Sequence, residues 1–99
     1  MAVEEILAET TDAAASAAFV IGPQEATITT TALGAGETAD IQIGHQQTPG
    51  DDVDWQDLFR SGTQQTLDET NNSVTVLGPG KFRVNKSATA SATSVNLWT

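Results

Sequence analysis

Val74-Thr75-Val76-Leu77-Gly78-Pro79-Gly80-Lys81-Phe82-Arg83-Val84 carries the clearest structural signal in the chain. Val74 and Val76 alternate with Ser73 and Thr75 before the Gly-Pro-Gly triplet. Phe82 and Val84 alternate with Lys81, Arg83 and Asn85 after it. Successive side chains of a strand point to opposite faces, so this pattern describes two half-buried strands. Proline presets φ in a turn and the glycine after it accepts positive φ, so the triplet reads as a hairpin turn.

The same grammar extends outward. Ala26, Ile28, Thr30 and Ala32 alternate with Thr27, Thr29, Thr31 and Leu33. Ala39, Ile41 and Ile43 alternate with Asp40 and Gln42, and Val95 and Leu97 with Ser94, Asn96 and Trp98. Gly22-Pro23, Gly34-Ala35-Gly36, Pro49-Gly50, Ser61-Gly62 and Asn71-Asn72 punctuate these runs. Seven or eight short strands are expected, in an all-β fold: an antiparallel β-sandwich or a jelly-roll-like small domain. Phe19-Val20-Ile21-Gly22-Pro23 is echoed by Val76-Leu77-Gly78-Pro79, too briefly to count as a repeat.

Residues 1–18 read differently and are set apart as a flexible N-terminal arm, with the β-sandwich domain over 19–99. Val3, Ile6 and Leu7 fall on one helical face, too short to be stable as an isolated helix. Ala13 to Ala18 is all Ala and Ser, which cannot build a core. The segment reads as a frayed terminus or as an arm that orders on a partner, and in either case its deletion is expected to leave the melting of the domain nearly unchanged.

Composition sets the function classes. The 99 residues include 13 acidic and 4 basic side chains, for a formal charge of −9. A surplus of carboxylates argues against nucleic acid, whose phosphates attract Lys and Arg, and against a polybasic membrane-surface protein. No apolar run approaches the roughly 20 residues of a membrane-spanning helix, and Glu4-Glu5 is the wrong charge for a signal peptide. With no cysteine there is neither a disulfide nor a thiolate metal site. Leu, Ile, Val and Phe together number 21, a small core that suggests support from neighbouring molecules.

No catalytic set emerges. Asp51, Asp52, Asp54 and Asp57 offer carboxylates at close spacing, but the glycine and distal Glu of an EF-hand loop are missing, so they read as a solvated acidic loop. His45, the single histidine, reads as an exposed strand-end residue. Gly34-Ala35-Gly36 and Gly78-Pro79-Gly80-Lys81 lack the spacing of phosphate-binding loops and read as hairpin turns. No metal or cofactor is expected, and no enzymatic activity.

Two features point to interfaces. Lys81 and Arg83 share a strand face, forming with Lys86 a basic stripe that pairs with acids of this chain or a neighbouring subunit, or else guards a solvated edge strand. Trp98 points outward if Val95 and Leu97 point inward; it reads as an interface residue, since aromatic side chains are enriched at interfaces, or else as a rim residue folded over the core. The interface candidates are therefore Val3, Ile6, Leu7, Lys81, Arg83 and Trp98.

From about Phe19 to Leu97 the chain resembles small β-sandwich structural proteins of tailed bacteriophages, of the capsid decoration or cement type. The resemblance rests on short Thr/Val/Ile strands, Ala32-Leu33-Gly34-Ala35-Gly36-Glu37-Thr38, Asp54-Trp55 and Leu77-Gly78-Pro79-Gly80-Lys81-Phe82-Arg83-Val84. It implies a virion protein made in the host cytoplasm that binds the major capsid protein on the outer head surface. It also implies a homo-oligomer, with a trimer favoured. The alternative is a tail or fibre module that binds a host surface glycan through Trp55 or Trp98.

Overall fold

The computed structural model describes residues 3–31, 33–45 and 53–99, which form strands and connections without a helix. In chain order the strands are β1 (Val3–Thr10), β2 (Ala14–Ala15), β3 (Phe19–Ile21), β4 (Glu25–Thr30), β5 (Ala39–His45) and β6 (Asp54–Asp57). There follow β7 (Phe59–Arg60), β8 (Thr63–Gln64), β9 (Thr66–Leu67), β10 (Ser73–Leu77), β11 (Gly80–Lys86) and β12 (Thr93–Trp98). Sheet 1 runs β1-β12-β4-β10 and sheet 2 runs β2-β11-β5-β6, with β3 also on β11 and β9 also on β5. The strands β7 and β8 form a separate hairpin. Every pairing is antiparallel, giving the all-β sandwich expected.

The core lies between the two sheets. Sheet 1 contributes Ala26, Ile28, Val74, Val76, Val95 and Leu97; sheet 2 contributes Ile21, Ala39, Ile41, Leu67, Phe82 and Val84. Alternation supplies them: Val74 and Val76 are buried while Ser73, Thr75 and Leu77 are exposed. Phe82 is the largest fully buried side chain, and its ring lies 6.2 Å from that of Phe19. β-Branched residues suit this role because they pack well on a pleated surface.

The two glycine-rich turns differ from expectation. Neither makes a hairpin: Gly34-Ala35-Gly36 connects β4 of sheet 1 to β5 of sheet 2, and Gly78-Pro79 connects β10 of sheet 1 to β11 of sheet 2. Turn residues and alternation look the same locally whether the flanking strands pair or fold onto opposite layers. Packing of the core makes the choice, because both layers must supply an apolar face. The Gly78 corner is tight: a Cβ there would collide with the Gly22 carbonyl oxygen and with Ile21. The Gly78 N–H donates to the Gln24 carbonyl (3.0 Å), so the two echoed Gly-Pro segments sit against each other.

The N-terminal segment also departs from expectation. Val3 to Thr10 is a strand, not a helical face, and it pairs with β12. Its register with β12 slips between Glu5 and Leu7 and again between Leu7 and Thr10, each slip adding one residue to β1. An inserted residue resets the alternation, so Ile6 and Leu7 both pack partly buried against the core. The bulges turn a period of two into a spacing that imitates a helix.

Nor does a boundary at residue 18 appear in the pairing, since β1 belongs to sheet 1 and β2 to sheet 2. The crossing between them is held by side-chain and main-chain groups of Val84, Lys86 and Thr89. Lys86 Nζ donates to the carbonyls of Asp12 (2.8 Å) and Ser87 (2.9 Å), and the Thr89 N–H donates to the Thr11 carbonyl (2.9 Å). The Ser16 N–H donates to the Val84 carbonyl (2.8 Å), and the Ser16 hydroxyl accepts from the Val84 N–H (2.9 Å).

Candidate interaction faces

The outward face of sheet 1 carries a row of directly opposed residues, Val3–Trp98–Thr27–Thr75, that spans all four strands. Glu5, Asn96, Thr29 and Ser73 form the next row. Trp98 is half-buried, and its Nε1–H donates to Thr29 Oγ1 at 2.8 Å. The indole is thereby pinned across the sheet with its single polar atom satisfied, and what remains to meet a partner is carbon surface. Thr27 and Thr75 Oγ1 atoms stand 3.5 Å apart, and Val3 and Leu77 at the margins are 54% and 52% exposed. The first row contains no charged side chain, in a chain with 13 acids.

Sheet 2 presents a different outward face. Trp55 of β6 stands opposite Gly44 of β5, and its ring lies where a Gly44 side chain would be: a Cβ there would approach Val53 Cγ1 to 2.7 Å and the indole to 3.1 Å. The Arg83 guanidinium carbon sits 4.7 Å from the Trp55 ring centroid. Arg83 Nε–H donates to Gln42 Oε1 (2.7 Å), and Gln42 Nε2–H donates in turn to Asp57 Oδ1 (3.1 Å). A cation over an indole contributes about 0.5–2 kcal/mol depending on its solvation. Lys81 lies on this face beside Val20, which is 75% exposed.

The six interface candidates therefore occupy three places. Val3 and Trp98 are neighbours on the outside of sheet 1. Lys81 and Arg83 lie on the outside of sheet 2, and Ile6 and Leu7 pack against the core. Lys86 does not join the basic stripe. It is 1% exposed, because it shares the inward parity of Phe82 and Val84, and two carbonyls satisfy its ammonium. That parity was readable in the sequence. The Arg83–Trp55 contact was not, since it depends on β6 and β11 flanking β5.

A third feature is a groove of about 180 Å3 between the β7–β8 hairpin and β10, lined by Leu58, Phe59, Arg60, Gln65, Thr75, Val76 and Leu77. Phe59 on its rim is 59% exposed. At the other end of β10, Asp68 Oδ1 accepts from the Thr70 hydroxyl and from the N–H groups of Thr70 and Asn71, at 2.8–3.0 Å. The hydroxyl, then the amides, hold its carboxyl below the usual range. Glu37 is lowered likewise, chiefly by the Gly34 N–H, then by the Ala90 N–H, with a further contribution from Lys86.

Asp51 and Asp52 lie outside the described residues. Asp54 and Asp57 bond to Gln56 and Gln42, and no group of three or more metal-ligating side chains occurs among the described residues. His45 is exposed at the end of β5, opposite Asp54. Among the described residues no helix is long and apolar enough to cross a membrane. Comparison with protein-family models, with curated proteins and with solved structures finds no match for this chain.

Proposed function

We propose that the chain is a bacteriophage virion structural protein of the capsid-decoration type, which docks on the outer surface of the major capsid protein and stabilises the head. The observation that supports this most is the charge-free Val3–Trp98–Thr27–Thr75 row across sheet 1. An uncharged strip that carries a pinned aromatic suits burial against a broad protein surface, where buried aromatics act as anchors. A capsid offers many identical sites, so a small module on each adds an interface that must break before the shell opens. On this reading the small core is completed by contacts in the assembly.

A glycan-binding tail module would draw on Trp55 with its polar neighbours Gln42, Arg83 and Asp57. There the guanidinium of Arg83 already takes the ring surface on which a sugar would stack, which favours the capsid reading.

Co-sedimentation with undecorated heads is the test. Wild-type protein is expected to pellet with heads and Trp98→Ala to bind at least tenfold more weakly, for an anchor contributing about 2 kcal/mol. Retention on host polysaccharide, with none on heads, would overturn the proposal in favour of the tail module.

A further inference from the structure

Among the described residues, sheet 1 ends on β1 at one edge and on β10 at the other, and the sequence treats the two edges oppositely. The β1 edge carries Glu4, Glu5 and Glu9 and two register slips, devices that discourage another strand from adding there. The β10 edge, Ser73-Val74-Thr75-Val76-Leu77, has no charge and no proline, and its register with β4 is unbroken from Ser73↔Thr29 to Leu77↔Glu25.

Its backbone is oriented for pairing. Thr30 N–H donates to the Asn72 carbonyl (3.2 Å) and Gly78 N–H to the Gln24 carbonyl (3.0 Å). Those contacts bracket β10 and set the phase of the antiparallel ladder, in which every second residue exchanges both bonds with the neighbour. Val74 and Val76 therefore bond to β4, and the N–H and C=O groups of Ser73, Thr75 and Leu77 point to the open side.

We propose that β10 pairs antiparallel with β10 of a second copy about a two-fold axis at Thr75, joining the two copies of sheet 1 into one eight-stranded sheet. The strand is self-complementary about that residue. Thr75 meets Thr75 of the second copy in a bonded pair, Ser73 meets Leu77, and Val74 lies beside Val76 on the inward face. Two chains of charge −9 meet here without a carboxylate on either strand. The ends are complementary in charge. The exposed Glu69 lies in the turn leading into Ser73, and Arg60 lines the groove at the Thr75–Leu77 end. Antiparallel pairing brings Glu69 of each copy toward Arg60 of the other. The incoming strand enters the groove between β10 and Phe59, covering the exposed Phe59 and Leu77.

This association does not rest on the capsid reading, and it yields dimers in place of the trimer that the family resemblance implied. The test is sedimentation equilibrium of the full chain, without capsids. The wild type is expected at twice the chain mass. Thr75→Pro removes an N–H that the single chain does not use, and an edge strand tolerates proline at such a site. It is expected to keep the β circular dichroism spectrum and to weaken the dimer at least tenfold. Thr75→Lys sets two like charges against each other on the axis and serves if the proline variant fails to fold. Arg60→Glu is expected to weaken association, and adding Glu69→Arg to restore it. A wild type that stays monomeric at several hundred micromolar, a trimer, or a dimer indifferent to both Thr75 variants would overturn the proposal.

Discussion

Val3 of β1 stands directly opposite Trp98 of β12, so the two ends of the chain meet on the outward face of sheet 1. Two of the residues picked out from sequence as interface candidates are thus one surface. Trp98 is held there by Thr29, two strands of the sheet acting on one side chain.

The Trp98–Thr29 bond is open to a double-mutant cycle. Trp98→Phe and Thr29→Val are each expected to lower stability by about 0.5–1.5 kcal/mol in urea unfolding. The double variant should fall short of the sum, because both changes remove the same hydrogen bond. Full additivity would mean that the bond contributes nothing in solution.

Deleting residues 1–10 is expected to destabilise the domain by about 2–5 kcal/mol, reversing the expectation for a separate arm. Ile6 and Leu7 lose their packing, at up to roughly 1.5–3 kcal/mol for each fully buried side chain, and β12 loses its partner. Thermal unfolding of the truncated chain measures the effect, and an unchanged midpoint would show β1 to be dispensable.

Lys86→Met keeps the length of the side chain and removes both bonds to carbonyls. The expected loss is about 1–3 kcal/mol, from carbonyls left without a donor. Hydrogen exchange should localise it: the Ser16 and Thr89 amides, which tie down the crossing from β1 to β2, should lose protection before those of β4 and β5.

Acid should weaken the fold through Glu37 and Asp68. Both carboxyls have lowered pKa values in the folded chain, so their ionised forms contribute stability that is fully present above the unfolded values of 4.5 and 3.8. The contribution is lost as pH falls through the lower folded values. Urea midpoints at pH 6 and pH 3 are expected to differ less in Glu37→Gln and Asp68→Asn than in the wild type. Equal pH dependence would assign the acid sensitivity to other groups.

The sequence made the layers legible and left the connections obscure. Alternation at Val74/Val76, Phe82/Val84 and Val95/Leu97 named core residues directly, because a strand half-buried on one face must alternate. It could not say that Gly78-Pro79-Gly80 joins different sheets, since sheet membership depends on partners far along the chain. The bulges of β1 displace the period that identifies a strand, so Val3, Ile6 and Leu7 take the spacing of a helical face. Of the interaction surfaces, outward Trp98 followed from parity alone. The Val3–Trp98–Thr27–Thr75 row and the stacking of Arg83 on Trp55 required knowledge of which strands are neighbours.

The pairing of β1 with β12 also bears on how the fold is reached. Thr10 stands opposite Thr93, so this ladder joins residues far apart in sequence. The crossing from β1 to β2 is fastened in the same way, by Lys86 on Asp12 and Thr89 on Thr11. Such contacts form slowly, because the entropy of closing a long loop is lost before the contact stabilises anything. Sheet 1 is therefore expected to close late, after the shorter-range pairing of β5 with β6, and the domain to fold slowly for its size.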